Sequence, residues 1–529
     1  MTATSGDAAP REASIDALFA PWLGAGTPGA VVGVSLAGRV VHEAGYGMAS
    51  LAHGVPLDRR SVIRIGSQTK QFCVLLALML AAEGRLDLDD EVQRHAPWLP
   101  RFAQRVTLRH LVTNTSGLRD FLGLLPLYGV PLAAGSTRAD SRAVIAAHPE
   151  LNFAPGSELL YSNSGFLILS EILESISGRG FDDLLQERIC RPLGMRDTRL
   201  MTWDSAVLER LAGHHTRGPD GAWHRAHWGL PLGGEGGMVS TLDDLRIWLA
   251  NLKRPTVGTP AMIAQLAAPA TLTNGTPSPY AHGLLVAPYR GAATIGHSGG
   301  VAGGRSESVR FPDLDLDVIV IANCDAIPAF SMARRIADLC VGDRLRPAPP
   351  APALDGADGF YRQEDGEDVF ALHGRGEAMQ FQTTLGAVPF RATGPDRFAP
   401  EKGAIDFELM ARGRDGFDAR WCGTARRYRR IVLAAGDARE VVGRWRATTG
   451  GLDAEIEADG PALHIRLGSV FGATRWPLLW AERDLLIADA GAGDPGCAPG
   501  RPWAFVLRVE PDALVLSTER VRAIRFRRA

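Results

Sequence analysis

A serine and a lysine three residues apart, Ser67-Gln68-Thr69-Lys70, carry the strongest chemical signal in the chain. At a helix N-terminus that spacing puts both side chains on one face. The serine hydroxyl then stands where backbone N–H groups and the helix dipole favour developing negative charge. A lysine stripped of water loses its proton more readily and can serve as a base. The chain holds only three lysines, and neither Lys253 nor Lys402 sits in a comparable motif. The competing interpretation is a helix cap beside a surface lysine.

A second signal is Phe153-x-Pro155-Gly156 leading into Tyr161-Ser162-Asn163. Pro-Gly enforces a turn, and Tyr-x-Asn puts two polar side chains on one side of an extended segment. A tyrosine beside an ammonium group can relay protons. Asn163 offers both a donor and an acceptor. A third signal is Gly296-His297-Ser298-Gly299-Gly300. Its glycines let a ligand approach the backbone of an edge strand. The N–H groups of Gly300 and Ser67 could together form an oxyanion hole. His297 could orient Tyr161 or polarise the substrate. Taken singly, each of these two segments reads as well as a core tyrosine or a glycine turn.

The elements that must position these residues follow from the pattern around them. Ala30–Leu36 and Val40–Gly45 are apolar runs joined by Ala37-Gly38, a hairpin signal. A helix is predicted from near Ser67. Its stretch Phe72–Ala82 is apolar on all sides, so it is expected to be buried, with Gly84 as its stop. Further helices are predicted at Gly165–Ser177, capped by Ser164, and at Leu242–Leu252, with Ser240 and Asp243 as a capping box. Leu316–Asn323 reads as a buried strand. Hairpin first, helices between and strands last suggest one antiparallel sheet built from both ends of this block.

The proline-rich stretch Arg346–Pro352 marks a boundary. The expected division is a catalytic domain at 1–345 and two small antiparallel β-barrels at 346–436 and 437–529. The barrels are read from a weak internal repeat. Gly359-Phe360-Tyr361 and Gly443-Arg444-Trp445 open its two halves. Strand-like runs follow at Val369–Leu372 and Leu463–Leu467, then Phe390–Phe398 and Trp476–Leu486. Arginine-rich strands, Arg426–Leu433 and Val521–Arg528, close each half. Barrel closure would hide the strand edges. A role for the barrels as ligand carriers is disfavoured, because small barrels fill their interiors with side chains.

Composition excludes several classes. The 529 residues are 46% hydrophobic and 22% charged, ordinary for a globular protein and wrong for a disordered or fibrous one. A net charge of -2 gives no basic excess for nucleic acid. The six cysteines form no CxxC pair and no cluster with histidine at zinc spacing, so neither a disulfide scaffold nor a metal site is expected. The longest apolar run, Phe72–Ala82, is too short to cross a bilayer. The first residues lack the apolar core of a secretory signal. A cytoplasmic protein without a membrane partner or a cofactor is therefore expected.

The three motifs in this order, with Leu108–Leu118 (LRHLVTNTSGL), resemble the penicillin-recognising serine hydrolases, the superfamily of class C β-lactamases, DD-peptidases and related esterases. The resemblance covers about residues 14 to 345. It implies an α+β catalytic domain with a helical subdomain beside an antiparallel sheet flanked by helices. It makes Ser67 the acylated nucleophile, Lys70 its proton acceptor and Tyr161 the second acid/base. It has Asn163 bind the substrate amide and puts His297 at the start of the third motif. With two barrels appended, the chain is similar to the bacterial D-aminopeptidases. That implies release of N-terminal D-residues from peptides, amides or esters, and a homodimer. It also implies a loop of the last domain, here Asp489–Gly500, entering the active site. Asp494 is then the partner of the substrate ammonium, with Asp489 in reserve. The rival functions are a broad esterase, a D-amino acid amidase, a DD-carboxypeptidase, and a β-lactam or peptidoglycan-binding protein that acylates without turning over.

Overall fold

A computed structural model describes residues 8–133, 135–218, 220–349, 356–366, 368–375, 378–394, 397–401, 405–412, 416–460, 462–490 and 502–529. The first block builds a five-stranded antiparallel sheet. Its strand order is Ile295–Val301, Gly304–Phe311, Leu316–Ala322, Ala30–Leu36, Arg39–Tyr46. Chain ends therefore meet in the middle, where Val32 pairs with Val320. Ile295–Val301 is the edge strand, which leaves one side of the HSGG motif open to a ligand.

Two faces of this sheet have separate cores. On one, Val32, Val34, Val318 and Val320 pack against Met332, Ile336 and Ala337 of helix Ala329–Val341. On the other packs helix Leu242–Lys253, and against it lies helix Thr69–Ala82, in which residues 69–78 and Leu80 are buried. An apolar surface all round fits a helix that neighbours cover on every side. Phe72 rests against Trp248 at 4.1 Å between ring centroids.

Two predicted caps fall one or two residues late or early. Helix Leu242–Lys253 is capped by Thr241, which accepts from the Asp244 N–H at 3.2 Å. Ser240 instead ends the strand Met238–Ser240 and bonds Thr198. Helix Asn163–Ser177 starts at Asn163, not after Ser164. The Ser164 hydroxyl accepts from Phe121 N at 2.8 Å and donates to Arg119 O at 2.7 Å. Sequence cannot separate a cap from a serine that ties two segments together, since both satisfy backbone groups.

The last part of the chain forms two closed eight-stranded antiparallel barrels. Tyr361 pairs with Arg430 to close the first, and Trp445 with Arg528 to close the second. Two runs expected as single segments are pairs of strands. Gly386–Gly394 and Arg397–Pro400 replace Phe390–Phe398, and Gly472–Glu482 and Leu485–Asp489 replace Trp476–Leu486. The polar pair Arg483-Asp484 is the missed turn in the second case. Aromatic rings fill the first barrel, with Phe370 5.0 Å from Tyr428 and Phe381 5.3 Å from Phe407 between centroids. Its interior is a packed core, as the sequence reading expects.

Candidate active site

Ser67 sits in a single 3-10 turn, Gly66–Gln68, that leads straight into helix Thr69–Ala82. Lys70, one turn on, is 0 % exposed. Its ammonium donates to the Ser67 Oγ at 3.1 Å, to Asn163 Oδ1 at 2.9 Å and to the backbone oxygen of Glu235. Three acceptors use all three N–H bonds. Burial nevertheless lowers the lysine to about 7, because loss of hydration outweighs the pull of the Glu235 and Asp120 carboxylates. The neighbouring positive charge of Arg520 lowers it further. A lysine at that value is part neutral near pH 7, as a base for Ser67 must be.

Tyr161 lies beside this pair, with the Lys70 Nζ 4.7 Å from its ring centroid. The phenol makes no hydrogen bond of regular geometry, yet the Ser67 hydroxyl is near enough to pull its pKa down. Burial wins and holds the phenol well above its ordinary value, so Tyr161 keeps its proton. The LRHLVTNTSGL segment explains its placement. Asn114, left-handed at φ 55, accepts from Leu160 N through its backbone oxygen and from Ser162 N through Oδ1, both at 3.0 Å. Asparagine tolerates that conformation. It thus grips the chain on both sides of Tyr161.

Asn163 occupies the first turn of its helix. Its amide nitrogen donates to Asp120 Oδ2 at 3.0 Å while its oxygen takes the Lys70 proton. Both ends of the amide thus hold protein partners, and the second lone pair of Oδ1 remains for a substrate N–H at the cavity wall.

His297 is buried in the edge strand. Its Nδ1 lies 2.5 Å from the Ser298 carbonyl, which only accepts, so Nδ1 carries the proton. Nε2 then accepts from the Tyr280 hydroxyl at 3.0 Å. Burial and the nearby Lys70 push the imidazole down to about 3, so it is neutral. It does not hydrogen-bond Tyr161 as one sequence alternative had it. It holds Tyr280, whose ring meets Tyr161 edge-on at 5.9 Å.

The glycines of the motif have a steric cause. A Cβ on Gly299 would stand 1.8 Å from the Ile65 carbonyl oxygen, and one on Gly66, at φ +55, would stand 2.7 Å from the Gly300 nitrogen. Only bare backbone lets the edge strand reach the Ser67 turn. Gly299→Ala is accordingly expected to push the strand off that turn and to cut kcat/KM at least about 100-fold, as loss of one oxyanion donor does. Assay and thermal melt together check this.

A cavity of about 370 Å³ opens at Ser67. Tyr161, Asn163, His297 and Gly300 line it, with Glu401 of the first barrel and Glu519 and Arg520 of the second. Asp489 is not among the lining residues. It is buried at the end of its barrel strand, opposite Trp503. Asp494 lies outside the described residues.

The Beta-lactamase family model matches residues 15–341. The chain belongs to the Beta-lactamase family. Relatives within reach of whole-chain comparison carry the name D-aminopeptidase. One from Cereibacter sphaeroides is 31% identical over 502 residues, 92% of each chain, and one from Brucella melitensis is 27% identical over 90% of each. Among solved structures, a D-amino acid amidase from Ochrobactrum anthropi SV3 is 25% identical. It covers 64% of this chain and 100% of its own, with a TM-score of 0.53. An octameric penicillin-binding protein homologue from Pyrococcus abyssi shares the fold over 98% of this chain and 99% of its own, at 19% identity and a TM-score of 0.57.

In this family member sequence reasoning missed Asp120, Glu235, Tyr280, Glu401, Glu519 and Arg520. Glu235 had a signal, an acid flanked by two glycines on each side. Its carboxyl is buried and raised, and its Oε1 accepts from Gly233 N at 2.8 Å. Among the described residues no His/Cys/Asp/Glu cluster could hold a metal, and no helix is long and apolar enough to cross a membrane.

Proposed function

We propose that the chain is a serine hydrolase that releases N-terminal D-amino acids from short peptides, amides or esters through an acyl-enzyme. The observation that carries this reading is the buried Lys70 ammonium, lowered to about 7 and 3.1 Å from the Ser67 hydroxyl at the foot of the cavity. The D-aminopeptidase relatives supply the substrate class. Neutral Lys70 accepts the Ser67 proton as Oγ attacks the scissile carbonyl. The N–H groups of Ser67 and Gly300 receive the oxyanion. Tyr161, still protonated, gives its proton to the departing amine and is reprotonated as Lys70 gives up its own. Water then attacks the ester by the reverse path. Asn163 steadies Lys70 and orients the substrate amide. His297 stays neutral and holds Tyr280. The substrate ammonium meets a carboxylate of the barrel domains, with Asp494 the residue that the family resemblance implies. A homodimer belongs to the same proposal.

Three substrates test the reading. D-alanine p-nitroanilide is expected to turn over at least about 100-fold faster than its L-enantiomer, which the relatives' D-selectivity excludes, and than its N-acetyl form, which offers no cation to the carboxylate. Equal turnover of all three would point to a broad esterase or amidase instead. Asp494→Asn is expected to raise KM for the free amine about tenfold or more. If Glu519→Gln or Glu401→Gln does so and Asp494→Asn does not, the ammonium site lies among the lining residues.

A further inference from the structure

The second barrel reaches the catalytic centre through the tight turn at 518–522, between strands Ala513–Ser517 and Ile524–Arg528. Thr518 Oγ1 shapes the turn by accepting from Arg520 N at 3.2 Å and Val521 N at 3.0 Å. The catalytic domain grips it on both sides. Asn152 donates to Arg520 O at 3.0 Å and accepts from Arg522 N at 2.8 Å, and Arg119 donates to Arg522 O at 2.9 Å. Beside it Glu158, three residues before Tyr161, accepts from Trp421 of the first barrel at 2.8 Å and from Arg522 of the second at 3.0 Å. These contacts fix one side chain. The Arg520 guanidinium donates to Asp120 Oδ2 at 2.9 Å and lies 4.9 Å from the centroid of the Tyr161 ring. Asp120 in turn accepts from Asn163, and Asn163 accepts from Lys70.

We propose that Arg520 is a positioning residue for catalysis, donated by the second barrel, which anchors Asp120 and through it Asn163 and Lys70 while covering the Tyr161 ring. A structural clasp alone would need neither a charge at this place nor contact with the Tyr161 ring and a hydrogen-bonded chain to Lys70. Arg522, two residues and at most about 7 Å of chain further on, already serves as the clasp through Glu158. The proposal rests on the serine hydrolase reading but not on its D-specificity.

The charged and titratable groups facing Lys70 are Asp120, Glu235, Arg520 and Cys73, with the Tyr161 phenol and the neutral His297 imidazole also beside it. Cys73 is held protonated by burial. Facing Tyr161 are Arg520 and Asp120, with neutral His297 at 6.2 Å between ring centroids and protonated Tyr280. Arg520 lowers Lys70 and Tyr161 alike, whereas Asp120 raises both. Removing the guanidinium leaves the Asp120 carboxylate uncompensated beside Lys70, so the lysine should lose its proton at higher pH.

The test is the pH dependence of Ser67 labelling by a fluorophosphonate, which needs the nucleophile and its base but no D-residue. Wild type is expected to be half-maximal near pH 7. Arg520→Gln is expected to shift that midpoint alkaline by about half a unit or more and to label about tenfold more slowly at pH 7. Arg520→Lys, which keeps the charge, should keep the midpoint near wild type. The double variant Asp120→Asn/Arg520→Gln, which removes both charges, should return it toward wild type even if the melting temperature falls. An Arg520→Gln midpoint equal to wild type, with only a lower melting temperature, would overturn the proposal. Failure of the wild type to cleave D-alanine p-nitroanilide would count against the substrate reading and leave this one intact.

Discussion

Ser67→Ala is expected to abolish turnover, with kcat lower by about 10⁵–10⁶, the cost of deleting a nucleophile whose partners cannot substitute for it. The fold should survive. The removed hydroxyl has one regular partner, Lys70, and that ammonium keeps Asn163 Oδ1 and the Glu235 carbonyl as acceptors. A thermal melt close to wild type, alongside a lost rate with D-alanine p-nitroanilide, checks both halves. The variant should still bind substrate, because the cavity is lined by other residues from three parts of the chain. Retained activity would place the nucleophile elsewhere.

Lys70→Arg is expected to cost about 10³–10⁴ in kcat/KM, the range for losing a positioned general base. A guanidinium keeps the charge and the donors but does not release a proton. Lys70→Met, which fits the buried space more easily, should lose as much. In wild type the rate should climb about tenfold per pH unit on the acid side and bend near pH 7, because the reactive lysine is the neutral one and its pKa is about 7, and should fall again once the substrate's own ammonium loses its proton at about pH 8. Tyr161 stays protonated through that range and adds no fall. Stability carries the same signature. The unfolded lysine titrates near 10.5 and the folded one near 7. Between those values the unfolded chain binds more protons, so stability rises with pH there. Lys70→Met should reduce that slope, which pH-dependent denaturation measures.

The nucleophile, its base, the tyrosine and the glycine-rich edge strand were legible because each lies in a short motif whose residues are neighbours in the chain. Gly299 could be read as a place of close backbone approach, although only the fold shows that it meets the chain at Ile65 and Gly66. The barrels were legible as a repeat, but Gly394 and the Arg483-Asp484 turn were hidden inside apolar runs. Arg520 was illegible for a different reason. Its partner Asp120 is 400 residues away, and in a stretch rich in arginine nothing local distinguishes it from Arg522 or Arg525. Asp120 offered a weak clue, since its carboxylate also accepts from Leu122 N at a helix start, which reads as capping alone. The acidic loop Asp489–Gly500 was expected from the family resemblance, and most of it, Asp494 included, lies outside the described residues.

The central claim is that the Ser67 oxygen, freed of its proton by Lys70, becomes acylated. The most direct measurement is mass spectrometry of enzyme quenched during turnover of a D-alanine ester, using Tyr161→Phe if deacylation must be slowed. An alanyl adduct on the peptide containing Ser67, absent in Ser67→Ala, is the expected result. Sustained hydrolysis with no adduct on Ser67, or an adduct on another residue, would contradict the account.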